Sequence, residues 1–189
     1  LGYGSDLDIV MLYQGVDPSA LVQLPAGKKG RQLENALFFV RMGQKVISLM
    51  TTLMPAGILY DVDTRLRPNG ASGLMVSDLE SYKAYIENKA WNWEHQALVR
   101  ARAVVGDAQS RQAFEAFRKA YLLRPRDADQ VRQEVIEMRQ KMKDALDKSD
   151  QDTFDLKQGV GGIVDIEFMM QYLVLANANR YPQLVTYSD

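Results

Sequence analysis

The sequence contains no cysteine and a single histidine, His95, among its 189 residues. The first absence excludes disulfides and thiolate metal sites, and the second disfavours zinc, which takes Cys and His ligands. Any metal must then be held by oxygen. An excess of one charge is missing as well: 23 Lys and Arg stand against 24 Asp and Glu, a formal net charge of -1. A general nucleic-acid binder carries a basic excess, so that class is disfavoured and no nucleic-acid partner is expected. Long apolar runs are also lacking. The longest, Leu33 to Met54, is broken by Arg41, Gln44 and Lys45, which is poor material for a bilayer span, and no signal peptide is visible. What remains is ordinary for a globular protein, with 47% hydrophobic and 25% charged residues. A soluble, cytoplasmic chain is expected. It opens at Leu1, without Met and inside what reads as a structured motif, so an incomplete N-terminus is expected too.

The run Leu7 to Tyr13 is rich in β-formers and follows a glycine turn, predicting a strand. Gln14 to Gly30 has the Gly, Pro and Lys content of an exposed loop. Leu33, Leu37, Val40, Ile47, Met50 and Met54 recur at helical spacing until Pro55 and Gly57, predicting a long helix packed on a sheet. A second strand is predicted over Ile58 to Asp63, followed by a turn through Arg65-Leu66-Arg67-Pro68-Asn69-Gly70. From Ser77 onward the pattern is almost wholly helical. Ser77 and Glu80 form a capping-box pattern for a helix to about Asn88, and another helix is predicted from Trp91 to Val105. Asp107 can cap the next, to about Leu122, and Val131 to Leu146 mark an amphipathic one. After the connector Lys148 to Asp152, the glycines Gly159, Gly161 and Gly162 lead into an apolar helix from Ile163 to about Asn177. The chain thus divides into a small α/β part, 1–105, and a helical part, 106–189, that stops abruptly.

The sharpest chemical feature is Gly4-Ser5-Asp6-Leu7-Asp8. Strand residues two apart share a face, at about 6–7 Å, so Asp6 and Asp8 project side by side. Neighbouring carboxylates repel unless a cation lies between them, and with oxygen donors alone that cation is Mg²⁺, or Mn²⁺ in its place. The second strand offers Asp61 and Asp63. If it pairs beside the first, one of these completes a three-carboxylate cluster suited to in-line phosphoryl or nucleotidyl transfer. Taken alone, Asp-x-Asp after Gly-Ser is more often turn and cap chemistry than a metal site.

Four segments together carry a resemblance: Gly2-Tyr3-Gly4-Ser5-Asp6-Leu7-Asp8-Ile9-Val10, Asp61-Val62-Asp63-Thr64-Arg65-Leu66-Arg67-Pro68, Trp93-Glu94-His95-Gln96-Ala97-Leu98-Val99-Arg100-Ala101-Arg102, and Gly161-Gly162-Ile163-Val164-Asp165-Ile166-Glu167-Phe168. In this order they resemble the glutamine synthetase adenylyltransferase family, over essentially the whole chain. Those bacterial enzymes carry two nucleotidyltransferase modules of the DNA polymerase β superfamily, one that adenylylates glutamine synthetase and one that removes the AMP. The Gly-Tyr-Gly-Ser-Asp-Leu-Asp and Asp-Ile-Glu-Phe forms resemble the C-terminal, adenylylating module. The resemblance implies an α+β fold: a polymerase β-like core with a small mixed sheet, N-terminally incomplete, followed by a mainly helical domain.

It further implies Asp6, Asp8 and Asp63 as the catalytic, metal-binding set, with Asp61 peripheral and Asp63 the expected proton acceptor. Gly4, Ser5, Arg65 and Arg67 are the expected nucleotide-binding positions; for the two arginines a surface ion pair is an equal alternative. ATP is the implied substrate and Mg²⁺ the implied cofactor, glutamine synthetase the acceptor protein, and a PII-type signal protein and glutamine the implied effectors. The alternatives are the adenylyl-removing module or a non-catalytic docking module. The family's upstream glycine motif, about ten residues before the Asp pair, would grip the triphosphate through backbone N–H groups. The chain starts after that position, so it reads as a piece of an enzyme whose activity in isolation is in question. His95 reads as structural, and Arg100 and Arg102 as cleft-lining or surface residues. Lys157 could reach a phosphate, while Asp165 and Glu167 suit either the positive end of a helix or a place near the active site.

Overall fold

The computed structural model of the chain describes residues 6–23, 30 and 32–186. The described chain is mixed α and β, with six α-helices and short parallel strand pairs, and it divides into two compact units, Leu1–Lys89 and Ala90–Asp189. None of the described helices is long and apolar enough to cross a membrane.

In the first unit, the stretch predicted as one strand is two: β1 (Leu7–Asp8) and β2 (Met11–Tyr13). The reason lies in their partners. β1 pairs in parallel with β3 (Val62–Asp63), whereas β2 pairs in parallel with β4 (Val76–Asp78), so the ladder changes partner between Asp8 and Met11. Both described ladders are parallel, where a mixed sheet is the expectation from the family. β3 is also shorter than the apolar run before it. Met54 and Gly57 close a tight bridge across Pro55 and Ala56, with Gly57 at φ +105°, and the Tyr60 N–H is taken by the Met50 carbonyl; these leave Ile58 to Asp61 outside a ladder.

The long helix α1 (Asn35–Thr51) lies close to β2 and β4. Gly43 permits this approach, because a Cβ there would come within 2.7 Å of the Val76 side chain and 3.1 Å of Met11 Sδ. Tyr13 stacks on Phe39 at 4.6 Å, and Val76, Leu79, Tyr82 and Ile86 complete the buried apolar set. The capping box expected at Ser77 is replaced. Ser77 is a strand residue paired with Leu12, and Asp78 caps α2 (Leu79–Asn88) by accepting the Ser81 N–H at 3.0 Å, while Glu80 pairs with Lys83.

The second unit holds α3 (Asn92–Arg100), α4 (Ala108–Leu122), α5 (Ala128–Leu146) and α6 (Ile163–Asn177). Leu98, Leu122, Val164 and Leu175 are its largest fully buried side chains among the described residues. Asp107 caps α4 through the Ser110 N–H, as predicted, and Asp127 caps α5. α3 ends earlier than its sequence pattern suggests. The buried Arg118 donates to the Leu98 carbonyl at 2.9 Å and to that of Val99, satisfying the open end of the helix, and the Ala103 N–H goes to Glu115.

Candidate active site

The site is built on β1 and β3. Their register sets Asp8 beside Asp63 and Leu7 beside Val62, and the flanking hydrogen bonds run from the Leu7 N–H to the Asp61 carbonyl and from the Ile9 N–H to the Asp63 carbonyl, both 2.8 Å. Paired positions on neighbouring strands carry their side chains on the same face. Two aspartates distant in sequence are thereby neighbours, as an Asp-x-Asp strand beside Asp61-Val62-Asp63 requires.

A cleft of about 490 Å³ opens here, lined by Asp6, Thr51, Asp61, Val62, Asp63, Thr64 and Arg65. Asp61, assigned to the periphery from the family pattern, therefore lines it too. Thr51 and Thr64 carry no signal of this place in the sequence: Thr51 ends α1, which only the tertiary fold brings to the cleft, and Thr64 stands between the charged residues of its motif.

Asp63 is held by its neighbour Arg65. Its Oδ1 accepts the Arg65 backbone N–H at 2.7 Å, and its Oδ2 accepts Arg65 Nε at 2.7 Å and also Nη2. These charge-assisted contacts, the side-chain bond foremost, hold the Asp63 carboxyl below its ordinary range despite partial burial. Arg65 is correspondingly shifted up, first by Asp63 and then by the fields of Asp6 and Asp8. Arg67 is placed differently. Its guanidinium donates to the Thr64 carbonyl and hydroxyl at 2.8 and 2.6 Å, and to the Gly73 and Ala71 carbonyls at 3.3 Å, so it braces the turn after β3.

The donor chemistry fits a hard divalent cation: carboxylate oxygens on adjacent strands, with threonine hydroxyls near by and no softer ligand. Among the described residues, however, no three Asp, Glu or His side chains are gathered at metal-holding distance, and both oxygens of Asp63 face Arg65. The cleft offers carboxylate oxygens but, in this conformation, not a closed cage.

Residues 1–117 match the family of glutamate-ammonia ligase adenylyltransferases. The chain belongs to that family. The bifunctional glutamine synthetase adenylyltransferase/adenylyl-removing enzymes of Nitrosococcus oceani and Thioalkalivibrio sulfidiphilus are 53% and 51% identical to it, over 192 and 189 residues. That of Pseudomonas aeruginosa is 46% identical over 200 residues. Each match covers 100% of this chain and 19 or 20% of the relative, so the chain spans about a fifth of the length of the curated relatives it matches.

Of the other positions expected in this family's site, Gly4 and Ser5 lie outside the described residues. The remaining candidates belong to the helical unit. His95 Nε2 meets the Tyr121 hydroxyl at 2.9 Å, and Arg124 and Arg126 stand over the Tyr121 ring. Arg100 pairs with Glu167, and Gln96 donates to Gln171 at 2.9 Å, both tying α3 to α6. Asp165 accepts the Gly161 N–H at 2.6 Å and pairs with Arg139 of α5, whose Nη2 reaches the Gln158 carbonyl at 2.7 Å. The two acids at the start of α6 thus anchor the glycine turn and join three helices.

Proposed function

We propose that this chain forms the metal- and nucleotide-binding cleft of a nucleotidyltransferase that transfers AMP from ATP to a tyrosine of glutamine synthetase. In this reading residues 1–105 belong to a polymerase β-like catalytic core, 106–189 begin a helical domain, and the enzyme works in the cytoplasm under a PII-type protein and glutamine. One observation carries it: β1 and β3 pair so that Asp8 stands beside Asp63, and Asp63 and Asp6 line one cleft, in a member of an adenylyltransferase family.

Asp6, Asp8 and Asp63 would hold Mg²⁺, which when bound neutralises phosphate charge and lowers the pKa of a hydroxyl. The protein side chains do the rest. Asp6 and Asp8 keep negative charge at the cleft, attracting cations and leaving bare phosphates unwelcome without one. Asp63, whose carboxyl Arg65 holds below its ordinary range, is a ligand first and the acceptor for the tyrosine proton second. Arg65 offers a planar fork suited to phosphate oxygens. The tyrosine oxygen bonds to the α-phosphorus as the bond to the β-phosphate breaks and pyrophosphate leaves. The Gly-Tyr-Gly-Ser-Asp-Leu-Asp form favours this direction over AMP removal.

The test uses the full-length protein with an Asp6→Ala/Asp8→Ala double variant, following transfer of α-labelled AMP from ATP to glutamine synthetase and phosphate-dependent ADP release from adenylylated glutamine synthetase. Transfer is expected to fall by at least about a hundredfold, with release retained. Loss of release alone would assign the chain to removal. Retention of both would assign it to docking.

A further inference from the structure

The cation at the acidic cleft is the protein's own. Arg65 stands two residues beyond Asp63 on the turn after β3, and its backbone N–H, Nε and Nη2 together engage both carboxylate oxygens. The two partners differ in exposure: the Asp63 side chain is 15% exposed and that of Arg65 is 78%. Asp63 is thus fixed in the wall of the cleft while the guanidinium lies over it from the solvent side. The positive head also senses Asp6 and Asp8. Arg67, in contrast, is bound to carbonyls of its own turn.

Two consequences follow from elementary electrostatics. A carboxylate with one oxygen taken by two guanidinium donors and the other by a backbone N–H has fewer lone pairs open to a second cation, and a dication brought to it would repel the guanidinium across a few ångströms. A guanidinium displaced from a carboxylate also remains a forked donor, suited to the other planar or tetrahedral oxyanions at hand, phosphates above all.

We propose that Arg65 is a tethered counter-ion: it occupies Asp63 while no divalent cation is bound, competes with that cation for the same carboxylate, and is released to phosphate oxygens of the substrate when the cation enters. This rests on Asp6, Asp8 and Asp63 being the cation's ligands, as argued under Proposed function. It explains why the ligands are present while the cage is not closed. It also makes cation and nucleotide help each other to bind, since the cation frees the arginine and the phosphates give it a new partner.

The arginine can be removed without opening the core because its side chain is mostly exposed. Binding of Mn²⁺ alone is measured by electron paramagnetic resonance on the full-length protein, and an Asp6→Asn/Asp8→Asn variant serves as the blank for ions held elsewhere. Arg65→Met is expected to bind Mn²⁺ about three- to tenfold more tightly than the unaltered protein, and Arg65→Lys, which keeps charge but loses the fork, to fall between. A non-hydrolysable ATP analogue with Mg²⁺, followed by calorimetry, is expected to bind Arg65→Met about three- to tenfold more weakly. Opposite signs for the two ligands are the signature of exchange. Equal Mn²⁺ affinity with and without the arginine, in a protein whose blank has lost that ion, would overturn the counter-ion role and leave the cleft's function standing. A blank that binds Mn²⁺ as well as the unaltered protein would instead overturn the ligand assignment on which the proposal rests.

Discussion

Each unit contains an aspartate bound at once by an arginine and by a backbone N–H, and the two pairs are built in different ways. Asp63 and Arg65 are two residues apart on one turn, and the arginine is 78% exposed. Asp165 and Arg139 come from different helices 26 positions apart, and here the arginine is only 12% exposed while the acid is 34% exposed. The acid is the buried partner in the first pair and the cation in the second. A buried guanidinium also needs partners for its remaining donors, and Arg139 finds one in the Gln158 carbonyl. Near-identical chemistry therefore serves two ends. Where the cation is exposed the pair can exchange partners, and where it is buried the pair holds elements together.

The comparison implies that the helical unit is a scaffold whose packing carries its stability. Leu122, with 0% exposure, is the sharpest probe. Leu122→Ala is expected to destabilise the unit by about 2–5 kcal/mol, because the lost transfer energy adds to the cavity left behind. Urea denaturation followed by circular dichroism reads this directly, and a loss below about 1 kcal/mol would show that the helices yield around Leu122 and are no rigid scaffold.

Part of the cleft is legible in the sequence, and the pairing of Asp165 with Arg139 is not. Asp6 and Asp8 stand out by spacing, because alternation along a strand and charge repulsion between neighbours are local properties, whereas the choice of Asp63 over Asp61 comes from the family resemblance alone. The caps at Asp107 and the run of α6 were legible for the same reason. What was not legible depends on partners far away in the chain. Nothing between Leu7 and Tyr13 says that the ladder passes from β3 to β4, and β4 is three residues long, too short to show a period. The end of α3 is decided by Arg118, twenty positions beyond the Leu98 carbonyl it satisfies. Arg65 and Arg67 look equivalent in Arg-Leu-Arg, yet one faces a carboxylate and the other faces its own turn, a choice made by where the Thr64 and Gly73 carbonyls lie.

A smaller effect is expected at the scaffold pair. The Gly161 N–H, and then Arg139, keep the Asp165 carboxyl below its ordinary range. A carboxyl with a depressed folded pKa contributes stability that is complete above its unfolded value of about 4 and is lost as pH falls through the folded one. Asp165→Asn is therefore expected to cost about 1–2 kcal/mol at pH 7, discounted because the acid is a third exposed. The deficit should narrow below about pH 4, where the unaltered protein also loses the charge. A deficit constant from pH 7 to pH 3 would mean that shape, and not ionisation, anchors the glycine turn.

The smallest effect belongs to the exposed pair, and its smallness is the point. Arg65→Met removes the cation facing Asp63 but leaves the carboxylate an N–H bond from its own turn and access to water from the cleft. With the arginine largely in solvent, the pair's contribution is screened and offset by the entropy of holding a long side chain. The urea midpoint is expected to stay where the unaltered protein has it, read by the same titration. A midpoint lowered as far as Asp165→Asn lowers it would place Arg65 with Arg139 as a structural clamp, and the division between an exchanging pair and a holding pair would fail.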